Sequence, residues 1–306
     1  MKQTRHLLIA LALGTMLTSC GASVSTATVT GPAAYVDPYI GSGGHGHVFV
    51  GASVPFGAIQ AGPQNIHKGW DWCSGYHHSD SIVIGFAHTH LSGTGCTDMG
   101  DVQIMPYTGE LRSKRGRQED IGGSCSSYYS HDNESVSPGY YSLKMDNGVR
   151  IEMTASTRTA LHRITYPEAE GRRLLINLEE GNGDGAYDTY LRQTDAHTVE
   201  GYRFSKGWGP HKVFFALTTD KPIRSLALFD ADTPSEGSEI RCKGAKGVLT
   251  FDDEKQVMVK VAISSVSSAN ALENLRTEIP GWDFKAVQAG VPHQNRLRHL
   301  QRFPVR

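Results

Sequence analysis

The sequence predicts a mainly β protein: an antiparallel β-sandwich followed by a short helical linker. Three observations carry this. Short runs from about residue 140 onward alternate apolar and polar residues, with turn signals between them. Glycine is abundant, 34 of 306 residues, while Leu-rich amphipathic runs are scarce. No strand–helix–strand rhythm recurs, which argues against a doubly wound parallel sheet.

In chain order, residues 1–20 read as a lipoprotein signal peptide. Lys2 and Arg5 precede the apolar run Leu7–Leu13, and Leu17-Thr18-Ser19-Cys20 then resembles a bacterial lipobox. The run is too short for a permanent membrane span. Acyl chains on Cys20 would anchor the protein in the envelope, facing the periplasm or the cell surface. Residues 21–34 are small and polar, as a flexible tether requires. Four cysteines follow, Cys73, Cys96, Cys125 and Cys242, with no CxxC pair, so a structural zinc knuckle is not expected. Their pairing is left open by the sequence.

The chemistry-bearing residues crowd into 41–101. Gly43, Gly44, His45, Gly46 and His47 form a loop able to approach a ligand closely. It is neither a P-loop nor a dinucleotide fingerprint, because no Gly-Lys-Ser/Thr and no βαβ frame accompany it. Trp70, Trp72, Cys73, Tyr76, His77 and His78 follow within one stretch. Aromatic bodies beside polar groups suit the C–H faces of sugars, and they suit packing equally well. If residues 83–91 form a strand, His88 and His90 point to one face, where His45 and His47 could complete a metal cluster. Asp98 and Asp101 could pair as acid and base, or satisfy backbone N–H groups in a glycine-rich loop. Glu179 and Glu180 carry the same two readings.

Strands are then expected around 149–154, 173–178, 198–204, 212–219, 223–229 and 257–263, within a sandwich spanning 35–265. At about Val266 the pattern changes. Residues 267–276 read as a helix with Ser267 as a plausible N-cap and Leu272 and Leu275 on one face. Pro280 interrupts, and a second helical start follows at 281–287. These make a linker over 266–290.

Charge excludes one class of function. Six of the 30 basic residues and none of the 31 acidic ones lie in 1–20 and 291–306, so residues 21–290 carry 24 basic and 31 acidic groups, net −7. An acidic body is not a nucleic-acid binder driven by bulk charge.

Taken in order, the motifs resemble the N-terminal domain of glycoside hydrolase family 92, the exo-acting α-mannosidases. The matching stretches are 35–41, 43–47, 51–57, 72–77, 85–95, Ser130-His131, 138–141, 161–163 and 280–284. The resemblance implies a β-sandwich, a helical linker and a much larger helical (α/α) barrel. The implied activity is Ca²⁺-dependent hydrolysis of terminal α-mannosides of glycans with inversion. Inversion uses an acid and a base about 6.5–9.5 Å apart. The resemblance places that pair, and most of the calcium ligands, on the barrel. No catalytic or metal-ligating residue is therefore expected in this chain, which would be inactive alone. It further implies that Trp72, Cys73, Tyr76, His77, His88, His90, Gly43, Gly44, His45 and His47 face the substrate cleft between domains. The family's barrel does not follow in these 306 residues, and residues 291–306 match nothing in it. That basic tail is expected to be a truncated or frameshifted reading diverging near Gly290. Two other functions stay open: a lipid-anchored mannan-binding or accessory module without hydrolytic activity, and a His-metal enzyme contained in the sandwich.

Overall fold

The computed structural model of the chain describes residues 31–290. The expected signal peptide with Cys20, the tether up to residue 30 and the basic tail lie outside the described residues. The tether's last residues enter a 3₁₀ turn, Gly31–Tyr35. No described helix is long and apolar enough to cross a membrane.

Two large antiparallel sheets form the body. One has eight strands, ordered edge to edge as Ala52–Ser53, Gln60–Gln64, Gly85–Ala87, Gln103–Tyr107, Arg173–Asn177, Ala245–Thr250, Ser225–Asp230 and Thr233–Ser235. The other has nine: Glu239–Cys242, Gly185–Gln193, Thr198–Lys206, Pro210–Thr219, Gln256–Ser264, Thr159–Thr165, Arg150–Ala155, Tyr140–Lys144 and Glu134–Ser137. Ile82–Val83 and Ser127–Tyr128 pair apart from both. The main core draws on both sheets, with Ile104, Leu175 and Val248 from the first and Ile151, Phe215 and Val259 from the second.

Alternation survives in the strand Thr159–Thr165, but both of its faces are covered. Ala160 and Ile164 join the main core, whereas Leu161 joins Tyr140, Met258, Ile279 and Phe284 in a second one. The linker supplies Ile279, at the end of its first helix, and Phe284, in its second, to that core. The first, Ser268–Glu278, is capped by Ser267, whose side chain accepts from the Asn270 N–H. Its buried residues are Ala271 and Leu275, one turn apart, and Leu272 is only half-buried. It lies against Gln256–Ser264 and Pro210–Thr219, where Asn274 donates to the Ile263 carbonyl at 3.0 Å. Glu278 bonds Ser156 and Arg158. The second helix, Phe284–Gly290, puts Phe284 under the Arg163 guanidinium, 4.6 Å from its ring centre.

Candidate functional site

The glycine loop and the tryptophan stretch meet at one rim. Residues 41–48 fold back on themselves through Val48 N–H to the Gly41 carbonyl at 3.0 Å. A side chain at Gly46 would put its Cβ 2.2 Å from that carbonyl oxygen, so only glycine closes the loop. His45 Nδ1 then reaches Asp71 Oδ1 at 2.6 Å, and His47 Nε2 lies 3.5 Å from the same oxygen. The His45 contact holds the Asp71 carboxyl below the usual range. Both imidazoles pack on Trp70, with ring centres 5.4 and 4.2 Å away. Trp70 opens the 3₁₀ turn Trp70–Trp72 and donates its indole N–H to the Gly95 carbonyl at 2.8 Å. It is 57% exposed.

The other expected site residues are placed as follows. His77 joins this wall from below, donating Nε2–H to the Gly44 carbonyl at 3.2 Å. Trp72 is half-buried, stacked on His77 at 4.4 Å, with Lys68 over its ring and its N–H on Asp80 at 2.9 Å. Cys73 is buried and donates its thiol to the Thr94 carbonyl. Tyr76 is buried with its hydroxyl on Glu134 at 3.0 Å. His88 and His90 are both buried, and burial pushes each imidazole down to about 4. The strand expected over 83–91 covers only Gly85–Ala87, so the two do not share a strand face. His90 stacks on Phe49 and bonds the Gln60 carbonyl, while His88 bonds Val102 and His162. The four histidines expected as a possible metal cluster form no metal-capable group among the described residues. All four described cysteines are free thiols.

Sequence reasoning misses the neighbour of this rim. Asp101 is fully buried and bonds Thr89 at 2.7 Å and Arg203 at 2.6 Å. Arg203 also clamps Asp184, at 2.8 and 3.0 Å. His211 Nε2 sits 3.2 Å from both Asp101 oxygens. Burial works to raise Asp101, but the His211 hydrogen bond and the Arg203 charge hold it below its ordinary value. The Asp101 bond in turn raises His211. Asp98 serves the backbone, accepting from Met99 N–H at 2.9 Å and Trp208 N–H at 3.0 Å. These carboxylates are not a free acid–base pair. Glu179 and Glu180 are likewise engaged, by Lys246 and Arg115. Arg203 and His211 stand about a hundred positions from Asp101, and no local signal joins them. Trp208, between Gly207 and Gly209 in a hairpin turn, is a visible signal that core patterning overlooks.

Two described groups gather metal-capable atoms: Asp98, Asp184 and His211, and His78, His131 and Glu134. Calcium takes six to eight oxygens. In the first group those oxygens already accept from Arg203 and backbone N–H groups, and the guanidinium supplies the positive charge. In the second, Glu134 is satisfied by Tyr39, Tyr76, Tyr141 and His131, and two imidazoles suit softer ions. Neither donor set fits calcium.

The architecture is a two-sheet antiparallel sandwich, with a linker of two helices packed on one sheet and an aromatic–imidazole rim on its loops, and that class of domain is compatible with a carbohydrate site. Residues 35–264 match the glycosyl hydrolase family 92 N-terminal domain, and the chain belongs to that family. A family GH92 α-mannosidase from Bacteroides thetaiotaomicron, solved in complex with mannoimidazole, superposes with a TM-score of 0.81 at 34% identity, over 85% of this chain and 36% of that one. A family GH92 inverting mannosidase from the same organism shares the fold, at TM-score 0.72 and 23% identity, over 85% of this chain and 35% of its own. An uncharacterized secreted glycosidase of Arthroderma benhamiae is 26% identical over 83% of this chain and 36% of its own length. The chain thus spans little more than a third of these relatives.

Proposed function

We propose that this chain forms the sandwich wall of a cleft that binds terminal α-mannosides of glycans, in an exported glycoside hydrolase of the exo-acting, inverting type. The observation that carries the reading is the superposition on the mannoimidazole-bound mannosidase at 34% identity. The exposed rim of Trp70, His45 and Gly44 supplies what a sugar needs: an indole, an imidazole and backbone polar groups. Trp72, Cys73, His77, Gly43 and His47 build that wall, whereas Tyr76, His88 and His90 are buried behind it, His88 between the sheets on His162.

Hydrolysis with inversion needs a protonated acid and a base activating water. Among the described residues, no Asp or Glu lines the cavity beside the rim, which favours a binding role for these residues. The acid–base pair and the calcium belong, on this reading, to a helical barrel outside the described residues. Export, with a lipid anchor on Cys20, would place the protein among extracellular glycans. The same observation supports the second reading, a mannan-binding or accessory module.

Calorimetric titration with α-mannobiose, run beside product analysis, tests the reading. Binding without products is expected from this chain, and His45→Ala should weaken it without changing Tm. Released mannose would place the hydrolytic carboxylates within the chain. Absence of binding would reject the mannoside reading.

A further inference from the structure

Beside the Trp70 rim lies a cavity of about 530 Å³, within the ~300–1,000 Å³ usual for small-ligand sites. Its opposite edge is the hairpin turn Lys206–Gly209, which joins the strands Thr198–Lys206 and Pro210–Thr219. The turn is pinned by its backbone. Trp208 donates its N–H to Asp98, and a Cβ at Gly207 would fall 2.3 Å from Asp98 Oδ1, so this approach requires glycine. Asp98 is itself held on a strained segment, with Met99 at φ 65° and the β-branched Val102 at φ 53°. That segment is tied down by Asp101 in the buried Arg203–Asp184–His211 network. This support leaves the Trp208 indole free, at 81% exposure. Among the described residues, no other aromatic ring packs on it.

We propose that Trp208 is a specificity arm: with Trp70 it holds a pyranose ring adjoining the one hydrolysed, so that the site favours oligosaccharides over simple mannosides. The proposal rests on the mannoside reading above and adds to it. Two indoles bound the cavity, and Lys206, His67 and Thr97 offer groups for hydroxyls. Among the described residues its lining carries no carboxylate, which suits a ring that is held, not one that is cleaved. An alternative platform, the aromatic ladder of Tyr190, Tyr202 and Phe204 on the nine-stranded sheet, is unsuited. Its rings stack on each other at 5.6 and 4.3 Å, and none of them lines the cavity that Trp70 and Trp208 bound.

The test titrates the purified chain with methyl α-mannoside and with α-mannotriose, by calorimetry and tryptophan fluorescence. Wild type should bind the trisaccharide more tightly. Trp208→Ala should lower trisaccharide affinity about fivefold to tenfold, leave methyl mannoside within about twofold and keep Tm, since its side chain is largely exposed. Trp208→Phe should restore most of the loss, and Trp282→Ala, in the linker, should do nothing. Equal losses for both ligands would make Trp208 a terminal-sugar contact and overturn the proposal. So would no loss for either, or a wild type that does not prefer the trisaccharide. Wild type that binds neither ligand would overturn the mannoside reading as well.

Discussion

His88 and His162 meet between the two sheets, Nε2 to Nε2 at 2.9 Å, both fully buried. Only one of those nitrogens can carry the bridging proton. His88 Nδ1 lies 2.6 Å from the Val102 carbonyl, so it must donate there, leaving His88 Nε2 as the acceptor. His162 therefore donates from Nε2, and its Nδ1 is a buried lone pair with no hydrogen-bond partner among the described residues. Tautomers that look arbitrary in isolation are thus set by one carbonyl. A side chain at 162 that cannot donate strands His88 Nε2 in the core. His162→Leu should then cost about 1–3 kcal/mol, the usual range for an orphaned buried group. His162→Gln, which restores a donor, should cost less. Urea denaturation of the two variants checks this, and equal stability would show that the imidazole bridge contributes nothing.

At the scale of elements, what the sequence discloses depends on how local the cause is. Ser267 caps a helix because its hydroxyl meets an N–H three residues on, and that is legible. The strand 149–154 is legible from alternation, yet Glu152 is buried against Arg163 at 2.6 Å because the linker helices cover its other face. His88 and His90 invite pairing by spacing, but their strand stops at Ala87. The glycine loop and the Trp70 turn are each visible as motifs, whereas their meeting through Asp71 is a long-range contact that periodicity does not encode. The linker offers a test of how far the second core belongs to the sandwich. Ser267→Ala removes one cap, worth about 1 kcal/mol. If helix and sandwich unfold together, the single transition should shift down by about 2–4 °C. A separate early transition for helicity, with the sheet unmoved, would make the linker an independent unit.

Among the described residues, buried His88, His90 and His162 on one side and His211 on the other give stability opposite responses to pH. His88 and His162 are buried neutral, with pKa values depressed by desolvation, His88 to about 4. Their contribution is present above the unfolded value of ~6.5 and is lost as pH falls through the folded one. At about 1.36 kcal/mol per unit, His88 alone removes about 3 kcal/mol across that window. His211 behaves in the opposite sense. The Asp101 hydrogen bond raises it, so its contribution is present below ~6.5 and is lost as pH rises through its folded value. Asp101 is held low by His211 and Arg203, so its own loss lies below the ordinary carboxylate range. Tm should therefore peak near neutrality, falling steeply on the acid side and gently on the alkaline side. A scan from pH 4 to pH 9 measures both limbs. His211→Gln should flatten the alkaline limb while leaving the acid limb in place, and His162→Gln should lessen the acid limb, which buried His88 and His90 still supply, while leaving the alkaline limb in place. If one substitution flattens both limbs, the two centres are coupled through the His88–Asp101 backbone bond and do not titrate independently.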